Sequence, residues 1–486
     1  MTRYNNTKPK GPQAVSYEGG AVYEKNIINE WINILFSSYM EDGFYANKST
    51  YEKRFLELTS QIADLYGVSF IAKAAYFARN ELGMRTASQL IAAWLNSQTF
   101  ENKRTFYKRF MHRPDDVAEI FAMIDHFDNK RSHALIRGAA DYLSSLSAYS
   151  LGKYKLQSRQ YNMYDVINLT HAWSPAIQAY KNNALDTPET WEVQISTAAD
   201  KEERDNNWKY LVENHKLGYM ALIRNLNNIL AIEDIDDKWI QTFLYPQIVD
   251  STSIHKSLIF PYRIYNAYLN LKVRNISVIF ALASAFKQAV KNMPVLNGTT
   301  GIILDVSGSM DAPISFKSNI SIKEVGACFA VAIFLANPNT KIVKFGNTAK
   351  EVKLNKLGNP FDLVNQLVNN DGCGYSTIIE PAYKVLSNLN NKYDRIFIIS
   401  DMQIMNSRNT YFFWENDSYN KKNTYGEYFN TTPVYSFDLG NYPTQVMPDN
   451  NYAYYLTSLN EQVFKFISIL ESGTNIIDYI NRFNYY

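Results

Sequence analysis

The stretch Thr300-Gly301-Ile302-Ile303-Leu304-Asp305-Val306-Ser307-Gly308-Ser309 decides the fold class of the second half of the chain. Its first five residues contain three consecutive aliphatic side chains between small or polar neighbours, a pattern typical of a short buried strand. An aspartate and two serines follow at alternate positions, as D-x-S-x-S. We therefore expect three oxygen-bearing side chains to lie together in the turn at the end of one strand.

Short apolar runs of the same kind recur at residues 341–345, 395–400 and 434–438, and an amphipathic helix is predicted at about 321–336. Strands that alternate with helices predict an α/β, doubly wound parallel sheet. In such sheets the functional loops lie at the carboxyl ends of the strands. The Asp305 turn is expected at that edge.

Two other loops supply oxygen ligands to the same predicted edge. Thr377 ends the segment 372–377, and Asp401 directly follows the strand at 395–400. Hydroxyl and carboxylate oxygens suit a hard divalent cation that keeps some of its water ligands. The five residues together resemble the metal-ion-dependent adhesion site of von Willebrand factor A domains: Asp305, Ser307, Ser309, Thr377 and Asp401.

This resemblance implies Mg²⁺, or Mn²⁺ or another divalent cation, with a sixth ligand such as a carboxylate of a partner. Two alternatives compete with it. A Ser/Gly turn can simply hydrogen-bond its own backbone, with Asp305 as a helix cap. An aspartyl-phosphate hydrolase would use Asp305 as nucleophile, but such enzymes usually carry a second carboxylate two residues later, where this chain has Ser307.

The first half of the chain has amphipathic patterns of helical period and almost no strand alternation. Residues 71–78 and 90–95 form one predicted helix pair, joined around residues 81–85. Similar stretches recur around residues 115–126, 132–150, 163–171, 206–230, 256–271 and 275–291. This predicts an all-α helical-repeat domain. It follows an irregular arm at 1–22, and the pattern changes after Met293-Pro294.

Several segments of this half resemble the TROVE module of the Ro ribonucleoprotein family. They are 41–46 (EDGFYA), 78–86 (ARNELGMRT), 190–193 (TWEV), 217–226 (LGYMALIRNL) and 260–263 (FPYR). In that family HEAT-like helical repeats close into a ring with a von Willebrand factor A domain. The resemblance implies a TROVE-like domain at 1–294 and an A-like domain at 295–486. Abundant Asn and Tyr indicate a bacterial or phage member.

The charge of the whole chain gives no bulk attraction to polyanions, since 49 Lys and Arg against 47 Asp and Glu leave a formal net charge of +2. Positive charge is nevertheless clustered among aromatic residues, which can neutralise phosphates and stack unpaired bases. The candidates identified by local pattern are Lys103, Arg104, Lys108, Arg109, Arg131 and Arg137. The alternative for each is an ordinary solvated helix face.

The Ro resemblance adds Lys153, Lys155, Arg159 and His171, which match a family segment whose Lys, Arg and His contribute to RNA binding. The spacing to Arg159 is one residue longer here, and Ala172-Trp173 replaces the leucine-lysine pair usual in the family. The alternative for His171 is a helix-end histidine. Arg224 and Arg263 could be either buried structural cations or phosphate ligands.

These observations predict a non-catalytic RNA-binding scaffold. The resemblance implies single-stranded 3′ ends of misfolded or Y-like noncoding RNAs as ligands, a role in RNA quality control, and in bacteria an exoribonuclease partner. The alternative is a divalent-metal-dependent module that grips a carboxylate of a partner protein. Neither DNA nor a membrane is expected as a partner.

No catalytic motif is found, so we expect no enzyme activity. Two cysteines, Cys328 and Cys373, and a polar start indicate a cytoplasmic protein. The Asn- and Tyr-rich segment 410–428 is a candidate insertion near the metal site.

Overall fold

The computed structural model describes most of the chain. The described residues are 14–15, 21–24, 27–37, 48–154, 160–185, 190–314, 320–337, 339–390, 392–404, 429, 432–439, 444–445, 453–456, 461–472 and 476–486. The predicted insertion at 410–428 lies outside them. None of the described helices is long and apolar enough to cross a membrane.

Helices dominate the first half, after two short strands. The elements are β1 (Ala14–Val15), β2 (Ala21–Glu24), α1 (Ile27–Ser37), α2 (Lys48–Tyr66), α3 (Val68–Asn80), α4 (Thr86–Trp94), α5 (Lys103–Phe110), α6 (Pro114–His126), α7 (His133–Ser144), α8 (Ala148–Lys153), α9 (Met163–Thr170), α10 (Pro175–Lys181), α11 (Trp191–Ser196), α12 (Lys201–Glu213), α13 (Tyr219–Arg224), α14 (Leu226–Leu230), α15 (Asp237–Trp239), α16 (Tyr245–Val249), α17 (Ser251–Ser257), α18 (Pro261–Leu269) and α19 (Ile276–Ala289). A π-helical turn, Ile240–Leu244, joins α15 to α16.

Strands and helices alternate in the second half. The elements are β3 (Thr300–Asp305), α20 (Ile322–Ala336), β4 (Thr340–Phe345), β5 (Ala349–Val352), α21 (Pro360–Val368), α22 (Glu380–Leu389), β6 (Arg395–Ser400), β7 (Val434–Asp438), β8 (Thr444–Gln445), β9 (Ala453–Leu456), α23 (Glu461–Glu471) and α24 (Ile476–Asn481). Among the described residues, the main sheet has six strands in the order β5-β4-β3-β6-β7-β9.

This sheet is buried on both faces, as expected of a doubly wound arrangement. Ile302 and Leu304 of β3 pack into the larger hydrophobic cluster with α20. Ile303 points to the other side and packs with Tyr383 and Leu386 of α22. The neighbours of β3 are β4 and β6, and both pair with it in parallel.

The sheet is mixed rather than wholly parallel, which corrects the prediction. Strand β5 pairs antiparallel with β4. The connection between them is only three residues, Gly346 to Thr348, with a hydrogen bond of 2.9 Å from the Gly346 amide to the Thr348 carbonyl. A connection this short can only form a hairpin. The antiparallel strand lies at the edge of the sheet, away from β3 and the Asp305 turn.

The predicted long helical stretches are divided into shorter helices. The stretch 206–230 contains α12, α13 and α14, because His215 takes a positive φ of 53° after α12 and Gly218 precedes α13. The stretch 256–271 is divided between α17 and α18, with Leu258 at φ 52° and Pro261 at the start of α18. Within the predicted arm, β1 and β2 pair with each other, and β2 pairs with β8.

Aromatic contacts join the second half to both ends of the helical half. Near the beginning, Phe36 of α1 packs edge-on against Phe466 of α23, with ring centroids 5.4 Å apart. Near the end of the helical half, Tyr268 of α18 stacks on Phe361 of α21 at 4.0 Å. The same hydrophobic cluster contains residues of both halves.

Helices α5 and α7 approach closely at Gly138. A Cβ atom at this position would lie 2.6 Å from the Arg104 carbonyl oxygen and 2.7 Å from the Tyr107 Cβ. Because one neighbour is backbone, a side chain could fit only if the helices moved apart. We expect Gly138→Ala to lower the free energy of unfolding by about 1–3 kcal/mol, measured by urea denaturation. Gly218→Ala is the matched control, since nothing lies within 4 Å of a Cβ there, and equal losses in both variants would contradict the prediction.

Candidate metal centre and nucleic-acid interface

The Asp305 carboxylate lies at the carboxyl end of β3 and is fully buried. Its Oδ1 accepts a hydrogen bond of 2.9 Å from the Ser307 amide, two residues later. Its Oδ2 accepts one of 2.6 Å from the Ser400 hydroxyl at the end of β6. The parallel register of β3 and β6 places these strand ends side by side. The turn after β3 therefore lies beside the end of β6.

The two serines connect Asp305 to Asp401. The Ser307 and Ser309 hydroxyl oxygens lie 3.3 Å apart, and the Ser309 hydroxyl donates to the Asp401 carboxylate. Asp401 Oδ1 also accepts from the Gln403 amide at 3.2 Å, whereas its buried Oδ2 has no hydrogen-bond partner among the described residues. Four of the five predicted oxygen ligands thus lie within one connected group.

The fifth candidate, Thr377, is buried on an adjoining loop. That loop is held to the Asp305 turn by a hydrogen bond of 2.9 Å from the Gly308 amide to the Tyr375 carbonyl. Asn370 strengthens the junction, because its amide nitrogen donates to the carbonyl oxygens of both Val306 and Gly374. Three loops therefore meet at one edge of the sheet.

Burial and neighbouring carboxylates raise the pKa values of the two aspartates at this centre. Burial, with the neighbouring Asp401 charge as the next cause, raises the pKa of Asp305 to about 7. Burial also raises the pKa of Asp401, and Asp438 adds to the rise, although the Ser309 hydroxyl opposes it. In the described part of the chain no group of three His, Cys, Asp or Glu side chains could hold a metal ion. A cation here would depend on the hydroxyls.

The donor set fits a hard divalent cation. Two buried carboxylates and small hydroxyls converge, and the buried Asp401 Oδ2 lacks a partner in the part of the chain that the structure describes. Such an orphaned oxygen is destabilising unless a hydrogen-bond donor or a cation reaches it. Asp305, Ser307, Ser309, Thr377 and Asp401 remain the candidate metal ligands.

Three of the predicted RNA-binding cations are engaged within the protein. The Lys103 ammonium donates to the Asn96 and Gln98 carbonyl oxygens, both at 2.7 Å. Arg104 forms a bidentate pair with Asp141, with both contacts at 2.7 Å. Arg131 pairs with Asp125 and also donates to the Tyr161 hydroxyl at 2.5 Å. The structure thus favours a structural role for Lys103 and Arg131.

Lys108, Arg109 and Arg137 are exposed instead, and none has a side-chain hydrogen bond or ion pair among the described residues. Arg137 stands one helical turn before Asp141 on α7, while the charge of Lys108 on α5 helps to lower the pKa of Asp141. The two cations therefore flank the same acidic residue. They form part of one exposed basic surface across α5 and α7.

A second exposed surface combines cations with aromatic rings on α8 and the loop before α10. Lys153 lies 5.9 Å from the ring centroids of both Tyr149 and Tyr154. His171 is exposed at the end of α9 with φ 56°. Trp173 is 65% exposed, and its amide donates to the Ser144 hydroxyl at 3.1 Å. We call Tyr149, Lys153, His171 and Trp173 the α8–α10 surface.

Sequence patterns did not identify Trp173 as a surface aromatic, because an isolated tryptophan is usually a core or interface residue. Its position between a helix end and Ser174-Pro175 was the only local indication of exposure. Lys155 and Arg159 lie outside the described residues. Arg224 and Arg263 are both exposed, so their interpretation as buried structural cations is wrong.

A family model that describes the TROVE domain matches residues 150–300. This match supports the resemblance to the Ro/TROVE family over residues 150–300. The matched TROVE segment contains Lys153, His171 and Trp173 of the α8–α10 surface, together with Arg224 and Arg263. The basic surface on α5 and α7 precedes it.

Proteins that resemble the chain include a mouse telomerase component and a bacterial Ro protein. Telomerase protein component 1 of Mus musculus is 24% identical over 305 residues, which cover 44% of this chain and 11% of that protein. The chain thus spans about a tenth of the length of this relative. The crystal structure of the Deinococcus radiodurans RO (RSR) protein superposes with a TM-score of 0.65 at 13% identity, covering 92% of this chain and 100% of that one. At this identity the likeness concerns the fold, and it includes both halves.

Proposed function

We propose that this protein is a non-catalytic RNA-binding scaffold, a ribonucleoprotein component that takes the single-stranded ends of small noncoding RNAs. The observation that carries the proposal is that the TROVE segment contains Lys153, His171 and Trp173 of the α8–α10 surface, an exposed surface of cations and aromatic rings. Y-like and misfolded RNAs are the proposed ligands, and RNA quality control is the proposed role.

The chemistry of the α8–α10 surface suits unpaired RNA. Lys153 can neutralise a backbone phosphate, because its ammonium makes no ion pair in the described part of the chain. The exposed rings of Tyr149 and Trp173 offer flat faces on which unpaired bases can stack. Bases inside a duplex are already stacked, so this surface favours single strands and ends.

The proposal includes the closed ring of helical repeats that the resemblance to the Ro family implies. Contacts from α1 to α23 and from α18 to α21 support it, since they attach both ends of the helical half to the second half. A closed ring would enclose a channel in which an RNA end could be held. The sheet and its helices would then act as the closing, von Willebrand factor A-like domain.

The Asp305 centre is proposed to bind Mg²⁺ or another divalent cation through Asp305, Ser307, Ser309, Thr377 and Asp401. A bound cation would offer an open coordination position to an external oxygen. Within the chain, Ser400 and the Ser307 amide orient the Asp305 carboxylate. The serine hydroxyls leave space for water or for a partner's carboxylate.

A metal-dependent protein-interaction module is the second candidate function. The observation that favours it is Tyr375, which is 75% exposed and whose carbonyl is hydrogen-bonded to the Asp305 turn. An exposed tyrosine beside a cation that accepts carboxylates is a suitable contact for a protein partner. An exoribonuclease is the partner implied by the resemblance.

The RNA proposal is tested by replacing Lys153 with Gln and His171 with Asn in one variant. Both side chains are exposed, and Asn tolerates the positive φ at position 171. We expect about tenfold weaker binding of single-stranded RNA, because a phosphate contact and a base contact are lost. Fluorescence anisotropy across a salt series measures it, and the dependence of affinity on salt should become shallower.

The matched control is Lys238→Gln, which removes an exposed positive charge on α15, away from the α8–α10 surface. Its affinity should stay within about twofold of that of the unmodified protein. Equal affinity of the double variant and this control would contradict the assignment of the α8–α10 surface.

A further inference from the structure

A cavity of about 530 Å³ opens between α11, α13, α14 and α18, entirely within the TROVE segment. Ligand pockets commonly enclose about 300–1,000 Å³, so one nucleotide fits the available space. Its polar and aromatic lining consists mainly of Trp191, Arg224, Asn227, Arg263, Asn266 and Asn270. None of these residues belongs to the α8–α10 surface.

Two arginines give the cavity its charge. Arg224 ends α13 and Arg263 lies in the first turn of α18, and both are exposed. Arg224 has no hydrogen bond or ion pair in the described part of the chain. Glu192 is the acidic side chain in the lining, so the cations outnumber it by two to one. Guanidinium groups stay charged and match the oxygen geometry of a phosphate.

A fixed aromatic ring forms another wall. Trp191 begins α11 and is half-buried. Its ring stacks on Trp208 with centroids 5.8 Å apart and an angle of 30° between the planes. The helix start is capped by Thr190, whose hydroxyl accepts from the Val193 amide at 3.3 Å. The ring therefore holds its place before any ligand arrives, which limits the entropy lost on stacking.

Asparagine side chains complete the polar wall. Asn227 donates to the Asn270 carbonyl at 2.8 Å and accepts from the Lys272 amide at 2.9 Å, so its orientation is fixed. Asn270 in turn donates to the Asn266 side-chain oxygen at 2.6 Å. The amide nitrogen of Asn266 donates to no atom in the described part of the chain. It can therefore donate to the acceptor edge of a base.

We propose that this cavity binds one unpaired nucleotide of an RNA strand. Arg224 and Arg263 hold the phosphate, the base lies against Trp191, and Asn266 contacts the base edge. The inference rests on the proposed RNA-binding function and adds to it a second, separate contact site. The phosphate and base could also belong to a free mononucleotide, and the experiment distinguishes these two sources.

The test uses the full chain with Arg224→Gln and Arg263→Gln combined, and a fluorescein-labelled single-stranded RNA octamer as the probe. Arg204→Gln on α12 is the matched control, since Arg204 is exposed and absent from the cavity lining. We expect at least about tenfold weaker RNA binding in the double variant and less than about twofold in the control. Circular dichroism checks that each variant is folded.

A second readout follows stacking on Trp191. An octamer containing 2-aminopurine should lose fluorescence on binding. Trp191→Leu should remove most of this quenching, whereas Trp191→Phe should keep it.

Equal affinities of the double arginine variant and the Arg204 control would overturn the inference, provided that the unmodified protein binds the octamer. Tight binding of adenosine monophosphate that the octamer does not displace would also overturn it, in favour of a free-nucleotide site. Absence of any binding of the octamer by the unmodified protein would instead overturn the proposed function.

Discussion

Replacing Asp116 with alanine is expected to lower the free energy of unfolding by about 3–5 kcal/mol. Asp116 is fully buried at the start of α6. Its carboxylate accepts from Arg79 at 2.8 Å and from Gln89 at 2.7 Å. The amides of His112 and Arg113 each donate to it at 2.9 Å. Without Asp116, the nearly buried Arg79 would keep its charge with no counter-ion.

The pKa of Asp116 supports this expectation. Burial alone would raise it, but the charge and hydrogen bond of Arg79 and the two backbone amides lower it below its usual range. A depressed pKa means that ionised Asp116 stabilises the fold above about pH 4, and that this contribution is lost as the pH falls through the folded pKa. Urea denaturation at pH 7 measures the change.

The control for Asp116 is Asp141→Ala, which removes the partner of exposed Arg104. Exposed ion pairs contribute about 0–1 kcal/mol, so this variant should remain close to the unmodified protein. A loss of less than about 1 kcal/mol in Asp116→Ala would contradict the description of this buried network. Adding Arg79→Met to Asp116→Ala should recover part of the stability, since the unpaired charge is then removed.

Magnesium is expected to raise the melting temperature of the protein, and Asp401→Asn should abolish most of this effect. At a concentration of one hundred times Kd, a ligand of the folded state stabilises it by about 2.7 kcal/mol. The cation would neutralise the repulsion between Asp305 and Asp401 and satisfy the orphaned Asp401 oxygen. Differential scanning fluorimetry with Mg²⁺, Mn²⁺ or EDTA measures the shift.

The pH dependence gives an independent readout of the same centre. Because folding raises the pKa of Asp305 to about 7, its protonated form stabilises the cation-free fold below about pH 4. This contribution is lost as the pH rises through 7. Saturating Mg²⁺ should remove this pH dependence of stability.

Asp362→Asn on α21 is the control for the Mg²⁺ experiment, because Asp362 is exposed and away from the centre. This variant should keep the full rise in melting temperature with Mg²⁺. An undiminished response in Asp401→Asn would contradict the metal assignment.

Sequence patterns located the strands of the second half closely. The predicted strand at 395–400 is β6, and the predicted strand at 434–438 is β7. Strand β6 contains the continuous apolar run Ile396–Ile399, and β7 is buried throughout although it contains Ser436 and Asp438. Burial along a whole strand arises when the strand is covered on both faces. The edge strand β5, Ala349–Val352, was missed because it is half-exposed and contains Lys350 and Glu351. Strand β5 is recognised by its pairing with β4, and the hydrophobic pattern of residues 349–352 alone does not show this pairing.

The candidate sites also differ in how far local sequence predicts them. The Asp305 turn could be predicted because its geometry is local and strand order brings Asp401 beside it. The basic residues could not be sorted by pattern. Arg104 and Arg137 look alike in sequence, yet only Arg104 meets Asp141 in a bidentate pair, across two helices. The cavity at Arg224 and Arg263 required the packing of α13 against α18, which follows from tertiary structure alone.

The most direct test of the RNA-scaffold proposal compares binding of a duplex with a single-stranded 3′ tail with binding of a blunt duplex. Fluorescence anisotropy across a salt series, with and without EDTA, measures both. The proposal predicts that the tailed duplex binds more tightly, that salt weakens this binding, and that EDTA leaves it intact. Equal binding of the two duplexes, or no binding at low salt, would contradict it.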